Sequence, residues 1–136
     1  MTRIIDSYAW IEFLSAGRAG PKVREIIESS EELVTPDIVL AEVARVLGRA
    51  GGPAAAVAGH LRSISALSSV RPISIEVALE VVRSDQELRQ HARNRRLGPP
   101  SFADVLILSY ARHFRATVVT ADHHFEGLGE TAWIGS

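Results

Sequence analysis

Short apolar runs alternate with longer amphipathic stretches along this chain. Ile4-Ile5, Leu33-Val34-Thr35, Val70 to Ile73 and Thr117 to Thr120 are too short for helices. They are rich in β-branched residues and flanked by breakers or acids, the pattern of buried strands. Trp133-Ile134 predicts a last strand at an edge. Between these runs, helical spacing predicts helices over Tyr8 to Leu14, Pro21 to Ser29, Ile38 to Leu47, Pro53 to Leu67, Ile75 to about Arg96, and Phe102 to Phe114. Two helix starts carry capping signals. Thr35-Pro36 reads as a capping hydroxyl followed by proline at the first helical position, and Ser101 with Asp104 has capping-box spacing. Gly51-Gly52-Pro53 reads as a turn between helices. Strands alternating with helices predict an α/β fold: a central parallel sheet of four to five strands flanked by helices on both faces.

The chain of 136 residues fits one domain over residues 1–136, with no repeat and no linker. It has no cysteine, which excludes a disulfide framework, a thiolate zinc site and a cysteine nucleophile. Its 15 basic and 16 acidic residues leave a formal charge of −1, which excludes a strongly basic nucleic-acid-coating protein but not an enzyme with one local patch. No run approaches the roughly 18–20 apolar residues of a membrane span. Asp6 and Glu12 lie too early for a signal peptide. The expectation is a soluble, cytoplasmic protein without a membrane partner.

Ligands of an open parallel sheet bind beyond the carboxyl ends of its strands. Asp6 directly follows the first strand, and Asp122 follows Thr117 to Ala121. Each alone reads as a helix cap or turn acid; two at the same sheet edge point to a site. Glu42 lies on an apolar helical stripe between Ile38 and Val46, where a carboxylate needs a partner such as Arg45 or Arg49, or a cation. Asp104 belongs to the capping box, yet its helix start also faces the strand ends. Four converging carboxylates repel one another and resist ionisation. A hard divalent ion, Mg²⁺ or Mn²⁺, resolves this, and an all-oxygen site points to phosphoryl chemistry. In this reading Asp6, Asp104 and Asp122 face the metal, while Glu42 orients water or helps hold the ion.

With these residues placed, the sequence resembles the PIN-domain nucleases, in particular the VapC-like toxins of toxin–antitoxin pairs. Ile4-Ile5-Asp6-Ser7-Tyr8-Ala9-Trp10 is similar to the family's strand, aspartate, hydroxyl residue and first helix. Pro36 followed by Glu42 resembles the second motif, Phe102-Ala103-Asp104-Val105-Leu106-Ile107 the Ala-Asp-x-x-Ile signature, and Val119-Thr120-Ala121-Asp122-His123-His124-Phe125 the Thr-x-Asp-x-x-Phe signature. The resemblance covers essentially the whole chain. It implies a three-layer PIN-like fold and a Mg²⁺- or Mn²⁺-dependent ribonuclease. Asp6, Glu42, Asp104 and Asp122 would form the acidic site, with Ser7 and Thr120 as hydroxyl neighbours. It also implies an RNA substrate, a cognate antitoxin that blocks the site, and a homodimer. In one respect the chain departs from many relatives: His124 stands where they carry a further acid, which argues against a fully occupied second metal position.

Other features carry less. Arg89, Arg93 and Arg96 recur along one helix; most such stripes are solvated, and the sharper reading places Arg93 and Arg96 on RNA phosphates. His123 and His124 read as surface or supporting residues, since neighbours on one helix face make poor joint ligands. Trp10 and Phe13 read as core or dimer contacts, Glu12 as surface, and Asp37 as a helix-start acid. Gly51-Gly52 lacks the Gly-Lys-Ser/Thr of a phosphate loop. A phospho-receiver module needs a late lysine, and Lys22 is the only lysine. A phosphohydrolase with an Asp-x-Asp nucleophile is disfavoured by Tyr8. An RNA-maturation nuclease without an antitoxin, or a non-catalytic RNA- or protein-binding module of the same fold, is the competing reading.

Overall fold

The computed structural model describes residues 1–136. The elements run β1 (Thr2–Ile5), α1 (Ser7–Leu14), α2 (Gly20–Ser29), β2 (Glu32–Pro36), α3 (Asp37–Arg49), α4 (Ala54–Leu67), β3 (Ser69–Arg71), α5 (Ile75–Asn94), α6 (Phe102–Phe114), β4 (Thr117–Thr120) and β5 (Thr131–Trp133). All strand pairs are parallel, in the order β3-β2-β1-β4-β5. Right-handed crossovers from β1 to β2 to β3 put α1 to α4 on one face. The return crossover from β3 to β4 puts α5 and α6 on the other, giving three layers. No helix is long and apolar enough to cross a membrane.

The centre of the sheet is chiefly apolar. Ile4 and Ile5 of β1 and Val118 and Val119 of β4 have no exposed surface, as expected of strands covered on both faces. Trp10 from α1 is also fully buried. It packs edge-on against Phe13 with ring centroids 6.0 Å apart, a core role that fits the sequence reading. The indole N–H donates to Thr35 Oγ1 at 3.2 Å, so the ring's one polar atom is satisfied inside the core.

Three local expectations change. Thr35 does not cap α3: it belongs to β2, and its hydroxyl meets Trp10 and, at 2.7 Å, Ser68 Oγ. Pro36 stands in the cap position without a side-chain bond, and Asp37 opens the helix. The third strand covers Ser69–Arg71 rather than Val70 to Ile73, because Pro72 has no N–H to extend the ladder. The long helix α5 ends at Asn94 rather than near Arg96. Arg96 takes a left-handed φ of 57°. The Leu97 N–H then reaches the Ala92 carbonyl at 2.8 Å and the Arg96 N–H reaches that of Arg93 at 3.1 Å, a Schellman termination.

Candidate functional site

The order in which successive strands are added to the sheet reverses between β1 and β4, the point at which an open α/β sheet leaves a crevice beyond its strand ends. Asp6 leaves β1 there, and Asp122 lies two residues beyond β4. Helix α6 runs against the strands on its way into β4, so its first turn, with Asp104, returns to the same edge. Helix α3 starts from that edge and carries Glu42 in its second turn. All four acids, together with Ser7, line one open cleft of about 720 Å³.

A buried relay fixes the two strand-end acids. The Asp122 N–H donates to Thr120 Oγ1 at 3.0 Å, and the Thr120 hydroxyl donates to Asp6 Oδ2 at 2.8 Å. The Ser7 N–H donates to Asp6 Oδ1 at 2.8 Å, so Asp6 also caps α1. Asp104 completes the capping box that the spacing predicts: Ser101 Oγ accepts the Asp104 N–H at 3.1 Å, and Asp104 Oδ2 accepts the Ser101 N–H at 3.2 Å. One Asp104 oxygen is thereby engaged and the other is left for the cleft. Ser101→Ala should lower the unfolding free energy by about 1 kcal/mol, measured as a lower urea midpoint at unchanged slope.

Glu42 forms no pair with Arg45 or Arg49. Its Oε1 is buried and has no hydrogen-bond partner, an arrangement that a carboxylate tolerates only beside a cation or a proton. Burial, then the charge of Asp6, push the Glu42 carboxyl above its ordinary range against the pull of Arg45. Burial likewise raises Asp6, with Asp122 adding to the effect and the Thr120 and Ser7 donors opposing it. Asp104 is pushed up to about 6 by burial and by the Asp122 charge. Three carboxyls that resist ionisation in one cleft, with oxygen donors throughout, fit a hard divalent cation.

His124 belongs to this cleft, which its reading as a surface or supporting residue understates. Asp104, Asp122 and His124 bring their donor atoms within 4.8 Å of one another, a cluster that Asp6 and Glu42 do not join. Both imidazole nitrogens are engaged, however: Nδ1 lies 3.0 Å from Asp122 Oδ1 and Nε2 lies 2.9 Å from the Gly98 carbonyl. The His124 N–H also donates to Asp122 Oδ1 at 2.9 Å. The ring therefore clamps Asp122 to the loop before α6 rather than offering a lone pair. Burial opposes its charged form, but the Gly98 carbonyl and the Asp122 and Asp104 carboxylates outweigh burial and raise its pKa. Because residues 123–127 form turns, not a helix, the helix-face argument against His123 and His124 does not apply. The turn-forming Asp-x-His spacing was the available signal.

Arg93 and Arg96 are exposed and do not line the cleft; Arg93 donates instead to Gln90 Oε1 at 2.8 Å. Glu12, read as a surface acid, instead ties down the backbone after α1. Its Oε1 accepts from the Ala19 N–H and the Tyr8 hydroxyl, both at 3.2 Å.

A family model described as "PIN domain" matches residues 3–130. The chain belongs to the PIN-domain family. Solved structures agree on the fold of this PIN domain. A toxin–antitoxin complex from Klebsiella pneumoniae superposes with a TM-score of 0.74 at 17% identity, covering 97% of each chain. VapBC2 from Rickettsia felis, bound to a DNA fragment from its promoter, gives 0.71 at 17% identity over 98% of this chain and 97% of that one. The sarcin–ricin-loop-cleaving toxin VapC20 of Mycobacterium tuberculosis gives 0.70 at 21% identity over 93% and 95%. At such identities the likeness is one of fold. No curated protein matches the sequence.

Proposed function

We propose that this PIN domain, spanning residues 1–136, is a Mg²⁺- or Mn²⁺-dependent endoribonuclease and the toxin of a toxin–antitoxin pair. The observation that carries the reading is the convergence of Asp6, Glu42, Asp104 and Asp122 on one open cleft, with a buried Glu42 oxygen that no protein group satisfies. Asp6, Asp104 and Asp122 would hold the ion. When bound, it supplies Lewis acidity at the scissile phosphate and offsets the mutual repulsion of the carboxylates. Thr120 and Ser7 hold Asp6 in its rotamer, and His124 holds Asp122. Glu42, with its raised pKa and unused Oε1, is suited to accept a hydrogen bond and then a proton from the attacking water.

The neighbouring toxin–antitoxin structures support an antitoxin partner, and the reading places the protein in the cytoplasm. A homodimer fits the exposed apolar row Ile75, Leu79 and Val82 on α5, at four- and three-residue steps along one helix face. The test is cleavage of RNA by purified protein in Mg²⁺ or Mn²⁺. Cleavage should stop with EDTA and return when either metal is restored; cleavage that persists in EDTA would overturn the mechanism.

A further inference from the structure

Beside the acidic cleft lies a second groove of about 360 Å³. The two share Tyr8 and Ala121, so they adjoin. Its walls come from parts of the chain far apart in sequence: Tyr8 of α1, Arg18 and Lys22 around the start of α2, and His123 and Trp133 at the other side. Tyr8 is 47% exposed. The His123 and Trp133 rings lie 5.5 Å apart at 45° and form one wall. Arg18 and Lys22 are exposed and enter no ion pair, unlike Arg83, Arg89 and Arg95 along and just after α5. Glu12 also lines the groove, but its Oε1 is held by Tyr8 and Ala19. Its Oε2 fills the space a Cβ on Gly17 would need. Glu12 thus folds the loop that carries Arg18.

Unpaired cations and accessible ring faces within one groove are the two components of single-strand recognition: the cations track phosphates and the rings stack bases. An aliphatic groove for a partner helix would lack both. We propose that this groove is a binding subsite for the nucleotide adjoining the scissile phosphate of single-stranded RNA, with its phosphate on Arg18 and Lys22 and its base against Trp133 and Tyr8. The proposal rests on the nuclease reading and names a substrate contact that the four acids do not supply. It also moves the phosphate-binding role from Arg93 and Arg96, which line neither groove, to Arg18 and Lys22.

Binding is measured with the Asp104→Asn protein, to prevent cleavage, using a short fluorescein-labelled single-stranded RNA in Mg²⁺ at several salt concentrations. Adding Arg18→Ala and Lys22→Ala should weaken binding about tenfold at low salt. It should also reduce the slope of log Kd against log salt by about 0.7, the share of the one single-strand phosphate that the two cations hold. Unlabelled RNA should quench tryptophan emission. Since Trp10 is fully buried, the quench reports Trp133 and should vanish in Trp133→Phe. An unchanged salt slope, or emission unaffected by bound RNA, overturns the subsite even where the wild-type protein cleaves RNA. A groove serving a protein partner instead gives that result. Failure of the wild-type protein to cleave or bind RNA at all marks the separate failure of the nuclease reading, and the subsite falls with it.

Discussion

Asp104→Asn is expected to lower RNA cleavage roughly a thousandfold, the scale of losing a group that stabilises developing charge in a water-poor site. The substitution removes one negative charge from the cleft and little else. An asparagine at 104 keeps a carbonyl oxygen to accept the Ser101 N–H, so the capping box that starts α6 is retained. The variant should therefore give the wild-type circular dichroism spectrum, with single-turnover cleavage rates in Mn²⁺ carrying the whole effect. A fully active Asp104→Asn protein would remove Asp104 from the catalytic set.

The same substitution should stabilise the metal-free protein, in a pH-dependent way. Asp104 has its pKa raised from 3.8 to about 6 on folding, chiefly by burial and then by Asp122. Between those values the folded chain retains a proton that the unfolded chain has released. Stability from this group is therefore present below pH 3.8 and lost as pH rises through 6. Allowing for solvent screening, the shift corresponds to a deficit on the order of 1–2 kcal/mol at pH 7. Asp6 and Glu42 are raised in the same direction and add to it. In EDTA, the wild-type and Asp104→Asn proteins should have similar unfolding free energies near pH 3.5, with the variant pulling ahead toward neutrality. Mn²⁺ should reverse that order at pH 7, because the deprotonated carboxylates then bind the ion. Urea titrations at several pH values, with and without Mn²⁺, check both parts. A wild-type advantage at pH 7 in EDTA would contradict the electrostatic account.

The alternation of strands and helices was legible because its determinants are local: β-branched runs such as Thr117 to Thr120, and the capping box of Ser101 and Asp104. The grouping of the four acids in one cleft was legible too, since β1, β4, the start of α3 and the start of α6 all meet at one sheet edge in a parallel fold. Readings failed where a residue's partner lies far along the chain. Thr35-Pro36 has the local form of a helix cap, but Trp10 and Ser68 take the hydroxyl. For Glu42 the sequence left an arginine pair and a cation both open, and only the fold shows that its Oε1 has no hydrogen-bond partner. His124 engages Gly98, 26 residues away, a contact made possible by the loop before α6. The groove of Tyr8, Arg18, Lys22 and Trp133 has no sequence pattern, because three separate elements supply it.

The central position of β1 bears on how the protein is made. Its neighbour β4 is more than a hundred residues downstream, and the Thr120–Asp6 bond joins positions 114 apart. Contacts of such long range form late in folding. While a ribosome is still translating the first hundred residues, Asp6 has neither the hydroxyl that orients it nor Asp122 beside it. A nascent or truncated chain therefore carries an incomplete acidic cleft, whose full set of carboxylates assembles only once synthesis has passed β4.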